Sequence, residues 1–428
     1  MPNSHARGRA KARPRTRVAV AAGRIVSAAS RAAGRGEGMV IGGKVILRLA
    51  PSAVTDLAAG RVAALVSATN GKTSTTRLLA SALEQAGPVV SQTTGANMPT
   101  GIVMALARAP RTATAILEVD EAYLPVTVAQ TKPRVVVLGN LTRDQLDRMN
   151  EVAMIARKWR STLAELHDVV VIANADDPMV EFAAGAAANV IWVGAGQQWT
   201  ADSTVCAQCG SLLNRDGPQW SCPGCGRSRP HPDWLLDYEP GAATATGPDG
   251  VALDLSDLRL PGRFNAANAT LALAAVRALG LDPTEGLRRM KDVDSVSGRF
   301  ATMRVGQLTV QLLLAKNPAG WSELLDIMPP APTPIIVTIN SNSADGRDPS
   351  WLWDVPFEKL RGRTVVATGS RRRDLAVRLT HAGVDYVVIE DPYAVGAQLP
   401  AGMADLEAVC CAATYTAFQE LRTTGVPA

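Results

Sequence analysis

Short apolar runs rich in Val, Ile, Leu and Ala recur along the chain, and longer stretches with helical spacing lie between them. Val62–Val66, Thr114–Val119, Val135–Leu138, Val169–Ala173 and Val190–Val193 are too short and too uniformly apolar for amphipathic helices, so they predict buried strands. Lys72–Gln85 and Glu151–Leu166 predict helices. This alternation predicts an α/β fold with a parallel-rich sheet covered on both faces. The pattern breaks from about Trp199 to Trp234 in a segment rich in Cys, Gly and Pro. It resumes with Asn265–Leu279, whose nearly continuous apolar residues predict a buried helix. From Arg299 a second α/β series follows, with strands expected at Leu308–Leu314, Ile335–Ile339, Thr364–Ala367 and Tyr386–Ile389. The expected organisation is a basic segment over 1–55, a central α/β domain over 56–298 with an insert at about 200–234, and a Rossmann-like α/β domain over 299–428.

The chain of 428 residues has room for two or three domains, and 47% hydrophobic against 19% charged residues places it among soluble globular proteins. No uncharged apolar run reaches the length of about eighteen residues that a transmembrane helix needs. The net charge of +5 is uneven: Arg7–Arg35 is rich in Arg and Ala and contains no acid. This stretch lacks the apolar core and cleavage site of a secretory signal. It reads as a solvated or frayed tail, or as a short basic helix, with Val18-Ala19-Val20 and Ile25-Val26 on one face, drawn to an anionic membrane surface or acidic substrate. The six cysteines comprise two CxxC pairs and the vicinal pair Cys410-Cys411, read as core thiols. They form no secreted disulfide framework, so a reducing cytoplasm is expected.

The segment Ala68-Thr69-Asn70-Gly71-Lys72-Thr73-Ser74 follows a predicted strand and opens a predicted helix. In that setting backbone N–H groups and the helix N-terminus can wrap phosphate oxygens. Gly71 lets the backbone approach closely, Lys72 would reach the β- and γ-phosphates of ATP, and the Thr73 hydroxyl would sit on Mg²⁺. A chance Gly-Lys-Thr at an ordinary junction is the bland alternative, and the flanking elements argue against it. Glu118 ends the strand Thr114–Val119 and can reach a second position on the Mg²⁺.

Cys206-x2-Cys209 and Cys222-x2-Cys225 are separated by twelve residues, with Gly210, Gly224 and Gly226 beside them. Four thiolates suit tetrahedral Zn²⁺ in a closed, structural site. Zinc ribbons often bind nucleic acid, but this one offers only Arg215, Arg227 and Arg229 as cations and few aromatics, a poor nucleic-acid footprint.

The Thr-Asn-Gly-Lys-Thr form of the phosphate loop, with Ala68 where the general loop carries its first glycine, closely resembles the Mur ligase and folylpolyglutamate synthase superfamily. Asn140-Leu141-Thr142-Arg143-Asp144-Gln145-Leu146-Asp147-Arg148 resembles that superfamily's N-x-x-x-D-H-L-D, with Gln145 in place of a metal-binding His. Gly262-Arg263-Phe264-Asn265-Ala266-Ala267-Asn268 resembles its G-x-x-N-x-x-N segment, where Asn268 would hydrogen-bond adenine or serve as a helix cap or packing residue. The Cys₄ insert and the segment Ala344-Asp345-Gly346-Arg347-Asp348-Pro349-Ser350-Trp351 narrow the likeness to the MurT family of ligase subunits. The resemblance implies a Mur ligase-type ATPase domain and activation of a carboxylate as an acyl phosphate. It further implies amidation of the D-glutamate α-carboxylate of the lipid II stem peptide by ammonia from a GatD-like glutaminase. It assigns Asp348, or second Asp345, to the partner's Cys-His pair, and Arg299, Lys316 or Lys158 to the neighbourhood of the nucleotide or acyl phosphate. Two competing readings are a stand-alone ligase adding an amino acid to a small carboxylate and a zinc-ribbon ATPase acting on nucleic acid. The Cys₄ insert and the Asp345–Trp351 segment disfavour the first, and the missing basic-aromatic surface disfavours the second.

Overall fold

The computed structural model describes residues 13–33, 38–92, 95–143, 152–293 and 300–427. They fall into two compact units, one holding most of the chain as far as Val293 and one holding residues 300–427.

The first unit opens with α1 (Pro14–Ala32), α2 (Met39–Leu49) and α3 (Ala53–Ala58). Of the two readings of the basic stretch, solvated tail or short basic helix, its described residues 13–33 form a helix, and that helix is packed. Thr16, Ala19, Gly23 and Ser27 of α1 are buried, α1 lies on α2, and α2 lies on α5 (Pro99–Arg108). Glycines set the spacing: a Cβ on Gly23 would stand 2.4 Å from Ile46, and one on Gly43 would stand 2.0 Å from the Thr100 carbonyl oxygen. The Arg61 guanidinium is buried and donates to the carbonyls of Leu57, Leu106, Ala109, Pro110 and Ala113, joining α3 to the end of α5.

The strands of this unit are β1 (Ala63–Ser67), β2 (Val89–Val90), β3 (Thr114–Glu118), β4 (Val135–Leu138), β5 (Val170–Asn174), β6 (Val190–Gly194), the hairpin β7 (Asn214–Asp216) and β8 (Gln219–Ser221), β9 (Trp234–Glu239), β10 (Ala242–Thr246) and β11 (Ala252–Asp254). Nine of them form one sheet in the order β11-β10-β9-β6-β5-β4-β1-β3-β2. Every pairing from β2 to β9 is parallel, while β9, β10 and β11 form an antiparallel extension. Sequence patterning misses that extension, because Leu235 on β9 is exposed and β10 is a run of Ala and Thr. All five residues of β1 and all four of β4 are buried, as strands covered on both faces should be. The helices α4 (Lys72–Leu83), α6 (Leu124–Thr131), α7 (Val152–Ala164), α8 (Pro178–Ala184), α9 (Arg263–Ala278) and α10 (Pro283–Met290) complete the unit. Of these, α9 packs on α4 and against β4, β5, β6 and β9, which accounts for its nearly unbroken apolar sequence.

The second unit has β12 (Phe300–Val305), β13 (Leu308–Leu314), β14 (Ile335–Thr338), β15 (Thr364–Thr368), β16 (Asp385–Val388), β17 (Val409–Ala413) and β18 (Val426–Pro427), in the order β16-β15-β14-β17-β13-β12-β18. The strands from β16 to β13 run parallel, with α11 (Pro318–Asp326), α12 (Arg372–Ala382) and α13 (Tyr415–Thr424) as the connecting helices. Cys410 and Cys411 lie on β17, buried between β13 and β14. Trp321, Phe357 and Phe418 are the largest fully buried side chains of this unit.

Candidate functional site

The phosphate loop leaves β1 and enters α4 through Gly71, whose φ of 84° is unfavourable for a residue with a Cβ. Space makes the same demand, since a Cβ there would lie 2.5 Å from Asn268 Oδ1. Asn268 sits in the second turn of α9, so it is not a cap; its amide faces the loop. Asn140, at the end of β4, braces the loop from the other side. Its Oδ1 accepts from Asn70 N at 2.9 Å, its Nδ2 donates to Asn70 O at 2.9 Å, and its carbonyl accepts from Thr69 N at 2.8 Å.

Thr69, Lys72 and Ser74 are buried. The Lys72 ammonium donates to the carbonyls of Ala68 and Thr69 and pairs with Glu121 Oε2 at 2.9 Å. Thr73 Oγ1 donates to Glu118 Oε1 at 3.1 Å, and Asn97 Nδ2 donates to the same oxygen at 3.2 Å. Gln92 fixes the main chain of Glu118 in both directions, donating to its carbonyl at 2.8 Å and accepting from its N–H at 3.0 Å. Trp159 of α7, fully buried, donates its indole N–H to the Glu121 carbonyl. Thr73 and Glu118, chosen from different parts of the sequence, thus meet beside Lys72. Hard oxygen donors on a hydroxyl and a carboxylate suit Mg²⁺, and a buried ammonium beside backbone N–H groups suits a triphosphate. Sequence reasoning missed Glu121, Gln92, Asn97 and the bracing role of Asn140; Glu121 stood three residues beyond Glu118 in an acidic strand end, a usable signal. Asp144, Gln145, Asp147 and Arg299 lie outside the described residues.

The four cysteine sulfurs lie within 4.8 Å of one another. Cys206 and Cys225 Sγ are 3.7 Å apart and Cys209 and Cys222 Sγ are 3.4 Å apart, with all four thiols free. A tetrahedron of thiolates about 2.3 Å from Zn²⁺ has edges of about 3.8 Å, so the donor set fits that ion. Each CxxC turns in the same way: Gly210 N donates to Cys206 O and Gly226 N to Cys222 O, both glycines having positive φ.

The ribbon is tied to the sheet beneath it. Arg229 Nε pairs with Asp176 at 2.6 Å, Arg227 pairs with Glu181 of α8 at 2.7 Å, Arg215 donates to Ser203, and Trp220 donates to the Ala175 carbonyl. Its three arginines are therefore engaged within the protein. Next to this anchor, Asp177 caps α8 through the N–H groups of Met179 and Val180 and also accepts from Leu141 N. Complete burial pushes the Asp177 carboxyl up to about 6, against the opposite pull of these three backbone donors. Ribbon, α8 and the Asn140-Leu141 corner under the phosphate loop form one connected series.

In the second unit the Asp-Gly-Arg-Asp loop follows β14. Asp345 is buried and fully used: it accepts from Thr416 N at 2.7 Å, Thr416 Oγ1 at 2.5 Å and Asn342 N at 3.0 Å. Ser341 Oγ contacts the carbonyls of Gly346 and Arg347, both at 2.8 Å. Asp348 is exposed and accepts from Ser350 N at 2.9 Å. Lys316 Nζ lies 4.9 Å from the centre of the Tyr415 ring, and Lys158 is exposed on α7.

Two family models match the chain, the Mur ligase middle domain over residues 66–214 and the MurT ligase C-terminal domain over residues 314–418. Among curated relatives, the MurT subunit of lipid II isoglutaminyl synthase (glutamine-hydrolyzing) from Staphylococcus aureus strain COL is 28% identical over 402 residues, covering 87% of this chain and 89% of the relative. The subunit of the same name from Streptococcus pneumoniae is 29% identical, covering 90% and 92%. Solved structures share the fold: a pseudomurein peptide ligase type C from Methanothermus fervidus has a TM-score of 0.62 at 18% identity, covering 85% of this chain and 78% of that one. MurF from Acinetobacter baumannii reaches 0.62 at 14% identity, covering 89% and 79%. Phosphate loop, Cys₄ ribbon, Asp-Gly-Arg-Asp loop and matches along most of its length agree in making the chain similar to the ATP-dependent Mur ligases and, among them, to MurT subunits.

Proposed function

We propose that the chain amidates the α-carboxylate of D-glutamate in the stem peptide of lipid II, giving D-isoglutamine, with ammonia supplied by a separate GatD-like glutaminase. The observation that carries this reading is similarity along most of both chains to relatives of that name.

The site residues suit each step. A carboxylate oxygen attacks the γ-phosphorus of ATP, ADP leaves, and an acyl phosphate forms. Ammonia then attacks the acyl carbon, loses a proton, and expels inorganic phosphate. Lys72 and the loop N–H groups would hold the phosphates, and Mg²⁺ on Thr73 and Glu118 would offset charge on the transferring phosphoryl group. Glu121 keeps the ammonium in place by ion pairing. Zn²⁺ on the four cysteines is structural in this reading, since a closed thiolate shell leaves no position for substrate.

Asp348 is the group offered to the partner. It is exposed, whereas Asp345 already has three hydrogen-bond donors on its two oxygens. A carboxylate beside the partner's His would fix its tautomer and stabilise the imidazolium. A lipid-linked substrate places the work at the inner face of the cytoplasmic membrane, and no helix among the described residues is long and apolar enough to cross it.

Purified chain with ATP, Mg²⁺ and lipid II should form the amide from ammonium chloride alone, and from glutamine only when the glutaminase is added, as read by mass spectrometry of the stem peptide. Incorporation of a free amino acid with no amide from ammonium would replace this reading by a stand-alone ligase.

A further inference from the structure

The first helix keeps its small residues inside, and both of the first two helices leave large apolar residues outside. On α1 the buried positions are Thr16, Ala19, Gly23 and Ser27, while Val18 and Ile25 are 69% and 70% exposed. On α2 the buried positions are Met39, Gly42, Gly43 and Ile46, while Val40 and Ile41 are about half exposed, at 51% and 47%. A helix on a water-facing surface normally does the reverse, turning its larger apolar side chains inward. Here close backbone approach between α1, α2 and α5, together with Met39 and Ile46, supplies the packing, and Val18, Ile25, Val40 and Ile41 are left over.

The outward positions of α1 are not scattered. Val18, Ala21, Ile25, Ala28 and Ala32 recur at spacings of three and four, one continuous stripe along the helix. Arg17, Arg24 and Arg31 recur every seven residues along it. Arg24 and Arg31 reach a carbonyl and a hydroxyl of the protein, Ala107 O and Ser27 Oγ, so their charges are not neutralised there. Arg17, Lys44 and Arg48 have no partner among the described residues, and from Arg13 to Thr55 those residues include no acid. The first acid among the described residues, Asp56, is taken by Arg13, Thr16 and Ser52.

We infer that α1 and α2 form a docking surface for an anionic lipid bilayer, with Val18, Ile25, Val40 and Ile41 entering the headgroup boundary and Arg17, Lys44 and Arg48 facing lipid phosphates. An apolar stripe flanked by cations, with no acid beside it among the described residues, is what an interfacial helix requires, and a bilayer is the partner that rewards both features over an extended surface. A protein partner would require acids matched to individual cations, and a second copy of this chain would bring like charges together. This extends the membrane-face placement proposed above but does not depend on which lipid is the substrate.

The test is co-sedimentation of the full chain with vesicles of phosphatidylglycerol and phosphatidylcholine, and with phosphatidylcholine alone, in both cases without lipid II. Binding should be selective for the anionic vesicles and weaken with salt. Val18→Asp with Ile25→Asp should lower the partition by about tenfold or more, and Arg17→Glu with Lys44→Glu and Arg48→Glu by a similar factor. All five positions are exposed, and unchanged circular dichroism and unchanged ATP binding will show that each variant is folded. Val18→Ser with Ile25→Ser, which adds no charge, should show an intermediate loss. Equal binding to neutral vesicles, undiminished binding by all three variants, or light scattering that shows a dimer dissolved by the same changes would each overturn the inference. Because the vesicles lack lipid II, failure here leaves the amidation reading intact, and failure of amidation leaves this one intact.

Discussion

The phosphate loop and the Asp-Gly-Arg-Asp loop begin alike, each leaving a fully buried parallel strand of its own sheet, and end differently. In the first, the groups placed for chemistry are buried or half-buried and braced: Lys72 on Glu121 and two carbonyls, Asn70 between the two ends of the Asn140 amide, Thr73 on Glu118. In the second, burial and bracing stop one step short. Asp345, Ser341 and Asn340 lock the frame, and the chain then turns outward to leave Asp348 exposed. Preorganisation would serve both in the proposed function, the one loop to enclose the phosphates of ATP and the other to display a carboxylate on a rigid mount.

Lys72→Ala should break the first loop most completely, leaving no detectable amide from ammonium or glutamine in the mass-spectrometric assay. It also strands Glu121 as an unpaired buried acid, which costs about 3–5 kcal/mol. The double change Lys72→Ala with Glu121→Gln separates these effects: the melting temperature should recover and product should not. Product from the double variant would mean that Lys72 is a packing residue.

Asp348→Ala should lower the glutamine-driven rate by about a hundredfold or more while the ammonium-driven rate and the unfolding midpoint stay at wild-type values. Equal loss on both nitrogen sources would erase the distinction between displayed and enclosed groups. Asp345→Ala should do the reverse. Removing the acceptor of three buried or half-buried donors costs about 2–3 kcal/mol of stability in denaturant unfolding, and ammonium turnover per folded molecule should persist. A stable Asp345→Ala protein would show that the mount does not rest on this carboxylate.

The same contrast explains what the sequence could tell. The run Val135–Leu138 matched its strand at both ends because full burial leaves no polar position to blur it, and Leu308–Leu314 matched through its alternating buried positions even with Thr309 and Gln311 half-buried. The pairing of Thr73 with Glu118 was readable because each belongs to its own strand-end signal. Asn140 over Asn70, Gln92 on Glu118 and Trp159 on Glu121 were not readable as contacts, since they depend on which strands become neighbours in the sheet. The α1–α2 pair escaped for a different reason: the buried positions of α1 are Thr, Ala, Gly and Ser, which carry little periodic hydrophobic signal, and only Met39 and Ile46 stand out among the buried residues of α2. The preference for Asp348 over Asp345 came from resemblance, and the three hydrogen bonds that Asp345 accepts are what supports it as a proposal.

The nine-stranded sheet finishes at both rims in very short strands, the two residues of β2 and the three of β11. A sheet this wide would otherwise carry two long rows of unpaired N–H and C=O groups, a template on which another extended chain could add. Shortening both rims removes that template, so concentrating this protein should not drive it into edge-to-edge fibres through its largest sheet.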